Sequence, residues 1–268
     1  TNSVCTYCQE CDPSILTFAL NARGDGYVVS ACPQTATGKL TIPATYNGLP
    51  VTEIGDRAFY DCKVLNGVVL PESITSIGVG AFSGCVSITE FTIPESVTTI
   101  GDSAFANTPI RSVNQAKGIR KIGNKAFQDC SELFWIDMSN SLTEIGERAF
   151  SNCKKVSFSN TLSSVRIIGD DAFYYCQEIP SSLNLNSITS LGASAFYYCN
   201  NLRNVKLGNG LTKINNSTFY YCGISEIIIP NGVTSIGESA FGYCSSLVSI
   251  EIPESVNYID CYAFSGNK

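Results

Sequence analysis

Phenylalanine recurs at positions 59, 82, 105, 127, 150, 173, 196, 219, 241 and 264, always 22 or 23 residues after the last. A unit of that length carries too little apolar surface to close a core by itself. Successive units must therefore stack and bury one another, which makes a solenoid the expected architecture. Alanine precedes nine of the ten phenylalanines, Thr218 being the exception. Glycine stands four residues before each, except at Asn215 and Asp260. Cysteine stands three residues after, except at Thr108 and Asn267.

Within one unit, Leu247, Ile250 and Ile252 have the spacing of a short strand with one buried face. Pro253 ends it, because proline cannot donate to a ladder. Val256 and Ile259 turn inward again, glycine supplies a corner, and the Ala-Phe step reads as a short helical turn. The expectation is an α/β solenoid of about ten coils of 22–23 residues, with a parallel β-sheet on one face and short helical turns opposite. At about 4.8 Å per coil the stack is about 48 Å long. The apolar residues after Cys153 and Cys176 fall out of register, at Phe158 and at Leu183 and Leu185, so a bulge or kink is expected over residues 156–185. Residues 1–38 read as a cysteine-rich amino-terminal cap with a hairpin, and residues 39–268 as the solenoid.

Phrases such as Ile-Pro-Glu-Ser-Val-Thr-Thr-Ile-Gly-Asp-Ser-Ala-Phe (93–105) resemble the BspA-like, treponemal-type leucine-rich repeat proteins. The resemblance covers about residues 40–268. The segment 16–49 resembles the amino-terminal part of the same family. The resemblance implies a secreted or cell-surface protein engaged in recognition or adhesion, with a protein or glycan on a host, matrix or neighbouring cell as partner.

Composition removes several alternatives. The chain has no histidine, so histidine-based nucleophilic catalysis, metal ligation and pH switching are absent. No acid, base or nucleophile constellation stands out, and the reading is a non-enzyme without cofactor or metal. The net charge is −6 without a Lys/Arg run, which argues against nucleic acid. No apolar run reaches membrane-spanning length.

Eight of the thirteen cysteines form the repeat column and read as small buried hydrophobes. The remaining five are Cys5, Cys8, Cys11, Cys32 and Cys261. Disulfides tying the cap are the expected reading in an exported protein. A zinc site of Cys5, Cys8, Cys11 and Cys32 is the competing assignment. Cys261 occupies a polar repeat position and is expected at the surface. The sequence opens at Thr1 without an initiator Met, as a processed or excised chain would. The final coil keeps its core residues up to Lys268 with no carboxy-terminal cap, so either further chain or a second copy is expected to cover it. Contact between opposite ends, locked through Cys261, would give a head-to-tail filament.

Among outward strand positions most side chains are small or polar, such as Thr92, Asn114, Lys206 and Glu251. Phe134, Trp135 and Asp137 break that pattern and form the candidate partner-binding cluster. Tyr174-Tyr175, Tyr197-Tyr198 and Tyr220-Tyr221, with Tyr243, are expected to stack along one edge. Arg23-Gly24-Asp25 is an integrin-type tripeptide within a hairpin-turn sequence. Asn215 and Asn216 head overlapping glycosylation sequons.

Overall fold

The computed structural model describes residues 10–114, 116–158 and 162–268. The chain winds as a solenoid of stacked coils, and each coil supplies strands to two parallel sheets. The first is the expected long-strand sheet. It runs through Gly38–Thr41, Leu65–Val69, Glu90–Thr92, Ser112–Asn114, Trp135–Ile136, Ser157–Phe158, Ser182–Leu185, Asn204–Leu207 and Glu226–Ile228. Its ladder is interrupted after Val69 and after Phe158, the second break lying within the irregular stretch 156–185.

The second sheet is built of two-residue strands such as Ser76–Ile77, Thr99–Ile100 and Lys121–Ile122. Ile54, Ile77, Ile100, Ile122, Ile145, Ile168 and Leu191 are in register and buried. The outward neighbours in the same ladder include Ser76, Thr99, Lys121 and Glu144. Thr75 donates both its amide and its hydroxyl to the carbonyl of Thr52, at 2.8 and 3.1 Å.

Residues 10–38 continue both sheets. Glu10–Cys11 pairs in parallel with Gly38–Thr41. Thr17–Leu20 and Tyr27–Ala31 form an antiparallel hairpin, and Tyr27–Ala31 pairs in parallel with Leu49–Ile54.

The third edge carries the Ala-Phe step, and it closes through tight turns rather than helix. The only helical segments among the described residues are the short 3-10 turns Pro13–Ile15 and Ala116–Gly118. Along this edge backbone amides alternate between two jobs. Ala58, Tyr60 and Cys62 donate to carbonyls three residues earlier in the same coil. Arg57, Phe59 and Asp61 donate to Val79, Ala81 and Ser83 of the next coil at 2.8, 2.8 and 2.9 Å. Switching direction residue by residue needs left-handed backbone at both ends of the turn: Arg57 has φ 55° and Asp61 φ 57°. The same two positions have positive φ in every following coil, through Tyr262 and Gly266. Such a sequence of dihedrals gives each amide from Arg57 to Cys62 a partner without propagating a helix.

Ten phenylalanine rings stack through the core with centroid spacings of 4.9–5.7 Å. Phe91 and Phe158 insert against this column from the long-strand side. The glycine four residues before each phenylalanine is required by close approach rather than by a bend. A Cβ on Gly101 would lie 2.6 Å from the carbonyl carbon of Gly78 and 2.8 Å from the amide nitrogen of Val79. Where Asn215 replaces glycine, its side-chain amide reaches the Leu191 carbonyl at 2.6 Å. The two-residue ladder breaks there, between Ser190–Leu191 and Lys213–Ile214, and the Phe196–Phe219 spacing is the widest of the column at 5.7 Å.

Candidate binding face

The outer side of the long-strand sheet presents the candidate cluster. Trp135 lies in ladder register between Ser112 and Ser157. Its indole is half-buried, and its Nε1–H donates to Asp137 Oδ1 at 3.0 Å. Phe134 precedes the strand and is 52% exposed. Leu133 and Ile136 face the core, Trp135 and Asp137 stand two apart on the outer side of the strand, and Phe134 lies exposed just before it. Trp135 and Asp137 are joined by that hydrogen bond, and Phe134 is their exposed neighbour in the chain.

Charged side chains surround this pair of aromatics. Phe134 N donates to the Arg111 carbonyl at 2.9 Å, which sets exposed Arg111 on the adjacent coil. Lys155 bonds Glu132 at 2.7 Å and holds that carboxyl below the usual carboxylate range. Sequence periodicity does not find Arg111, because its coil is one residue short near Thr108 and its neighbour across the ladder depends on where that deletion is absorbed. Periodicity likewise does not single out Ile228, which is 83% exposed on its long strand, or Val248, which is 75% exposed. Ile228 reads as a core-pattern residue because Ile227 and Ile229 flank it. An open hollow of about 540 Å³ lies between the coils of Ile228 and Val248, lined by Ile228, Ser249 and Glu251 among others.

The cysteines divide by burial. Cys85, Cys130, Cys153, Cys176, Cys199, Cys222 and Cys244 each point a thiol at the carbonyl of the phenylalanine in the preceding coil, at 3.0–3.1 Å. They are hydrogen-bond donors as well as packing groups. Burial pushes the Cys85 and Cys244 thiols up to about 12 and raises Cys176, Cys199 and Cys222 too. Thr108 takes the same place and bonds the Phe105 carbonyl at 2.7 Å.

Cys32 is buried beside Cys62, and that contact together with burial raises its thiol. Cys11 is half-buried in the first long strand, and Cys261 is exposed. Cys5 and Cys8 lie outside the described residues, and the eleven described cysteines are free thiols. Among the described residues no group of ligating side chains could hold a metal ion, and no helix is long and apolar enough to cross a membrane.

The tyrosines form two columns rather than one. Tyr174, Tyr197 and Tyr220 stack at 4.8 Å spacings, and Tyr175, Tyr198, Tyr221 and Tyr243 at 4.6–4.8 Å. Burial pushes the Tyr197 hydroxyl up to about 12. Asn216 is exposed and accepts the Glu238 amide at 3.1 Å, whereas Asn215 is tied to Leu191.

A model of the BspA type leucine rich repeat region, in six copies, matches residues 52–180 and 166–268. Among solved structures, a leucine-rich cell surface protein from Faecalibacterium prausnitzii is 23% identical, covering 95% of this chain and 97% of that one with a TM-score of 0.38. A leucine-rich repeat protein from Bacteroides ovatus is 23% identical, with 94% and 90% covered and a TM-score of 0.42. The leucine-rich repeat protein of T. pallidum is 22% identical, with 96% and 91% covered and a TM-score of 0.41. No curated protein matches the sequence.

Proposed function

The chain belongs to the BspA-type leucine-rich repeat family, and on that premise we propose that it is a secreted or cell-surface recognition protein whose binding face is the outer side of the long-strand sheet around Phe134, Trp135 and Asp137. The carrying observation is the half-exposed Phe134 beside a Trp135 whose indole N–H is already held by Asp137. An aromatic fixed in place before contact loses little rotamer freedom on binding, which favours it as an anchor. Solenoids offer extended surfaces of this kind, and the neighbouring Arg111, Glu132 and Lys155 supply a polar rim. The partner that fits is a folded protein or a glycan with an apolar patch bordered by polar groups. Binding rather than catalysis is the activity such a face supports.

Purified chain probed against arrays of extracellular-matrix proteins and glycans tests this. The Phe134→Ala/Trp135→Ala double variant should weaken any saturable interaction about tenfold or more, since buried aromatic anchors contribute ~2 kcal/mol or more each. Equal affinity of the double variant and the parent for every bound probe would remove this face from consideration.

A further inference from the structure

The hairpin at the amino-terminal end presents a second candidate docking element, remote in sequence from the aromatic cluster. Its loop runs from Asn21 to Gly26, and Arg23, Gly24 and Asp25 are exposed at the apex. Asn21 is buried and fixes the loop from inside. Its Oδ1 accepts the amides of Arg23 and Asp25, both at 3.2 Å, while its Nδ2 donates to Asp25 Oδ1 at 2.8 Å. The backbone closes through Asn21 N to the Gly26 carbonyl at 2.8 Å and Gly24 N to the Asn21 carbonyl at 3.0 Å.

Three features leave the apex available to another molecule. Gly24 has φ +73°, and a Cβ built there meets nothing within 4 Å, so the apex stands clear for close approach by another molecule. Asn21 engages Asp25 Oδ1, while Oδ2 accepts no hydrogen bond from the described residues. Arg23 is exposed and forms no ion pair among the described residues, which leaves its guanidinium available. A cation and a carboxylate thus flank an open glycine on a loop ordered before binding.

We propose that Arg23-Gly24-Asp25 is an adhesion loop for a receptor that offers a carboxylate-lined pocket to the guanidinium and a divalent cation to the free oxygen of Asp25. A hard cation takes carboxylate oxygen as ligand, and an acidic pocket suits the fixed fork of a guanidinium. Prior ordering by Asn21 lowers the entropic cost of docking.

Surface plasmon resonance with the full chain and a recombinant Arg-Gly-Asp-binding integrin ectodomain in Mn²⁺ tests it. The expected result is saturable binding that EDTA abolishes and soluble Arg-Gly-Asp peptide displaces. Arg23→Ala and Asp25→Glu should each weaken it about tenfold or more. Because Asp25 also helps to hold the loop, Arg23→Ala is the decisive variant, and its melting temperature should match the parent. Phe134→Ala/Trp135→Ala should bind the ectodomain like the parent, so loss at the sheet face and loss at the loop are distinguishable. Absence of saturable binding by the parent chain while a control ligand binds would overturn the proposal. So would binding that persists in EDTA, or that a normally folded Arg23→Ala variant retains in full; the tripeptide would then be a turn and nothing more.

Discussion

Seven of the eight column cysteines pack in the core and also donate a hydrogen bond to a phenylalanine carbonyl of the coil before. Replacing Cys176 by Ala keeps the chain threaded but removes that donor and the volume of the sulfur. Urea unfolding should report a loss of about 1–3 kcal/mol. The pH dependence follows from the same burial. The folded Cys85 and Cys244 thiols titrate above their unfolded value, so their contribution is complete below about pH 8.5, and it is lost as the pH rises toward about 12, where they ionise. The unfolding midpoint should fall across that alkaline window, and less so in Cys85→Ala. Exposed Cys261 behaves differently. Residual desolvation and the carboxylates of Glu238 and Asp260 raise its thiol. In the native state maleimide should modify it before any column cysteine, at a rate still climbing above pH 9. Labelling of Cys176 before Cys261 would contradict the buried assignment.

The phenylalanine edge and the two sheets differ in how openly the sequence announces them. Phe105 is stacked between Phe82 and Phe127 and touched by Phe91. Its replacement by Ala should cost about 3–5 kcal/mol, read as a lower melting temperature. The ten-fold recurrence makes this column and the long strands legible in the sequence. The second sheet is not legible, because Ser76–Ile77 or Thr99–Ile100 is too short to show a period of two. Its ladder exists only when coils are placed in register. The glycine column is visible in the sequence, yet its reason is contact between coils, seen only when Gly101 lies against Gly78. Non-glycine residues such as Lys125 at φ 57° sit in left-handed backbone for the same hidden reason. Lys125→Gly should be neutral or stabilising by up to about 1 kcal/mol, because relief of the left-handed cost competes with glycine's greater unfolded freedom. At the candidate face, Phe134 and Trp135 stand out by composition. Arg111 and Ile228 do not, since their exposure depends on which coil lies beside them. Acrylamide should quench Trp135 fluorescence partially, as suits a half-buried indole, and a fully protected emission would place the ring inside.

At the scale of the molecule, each coil bonds to the coil before and the coil after, and the repeats are close to interchangeable. Deleting residues 82–104 joins Ala81 to Phe105 and preserves the Ala-Phe step on both sides. The shortened chain should remain folded by circular dichroism, and small-angle scattering should show a rod about 4.8 Å shorter. The direction of the inter-coil bonds adds something that interchangeability alone does not require. Along the phenylalanine edge, amides of Arg57, Phe59 and Asp61 point toward the carboxyl end of the stack. On the two-residue sheet, amides of Thr75 and Gly78 point back to Thr52 and Ile54, toward the amino end. An α-helix aligns all its peptide units and accumulates opposite partial charges at its tips. In this rod those two sets of inter-coil bonds run in opposite directions, so their peptide dipoles oppose one another instead of adding, and a change in repeat number should alter the polarity of the tips less than lengthening a helix would.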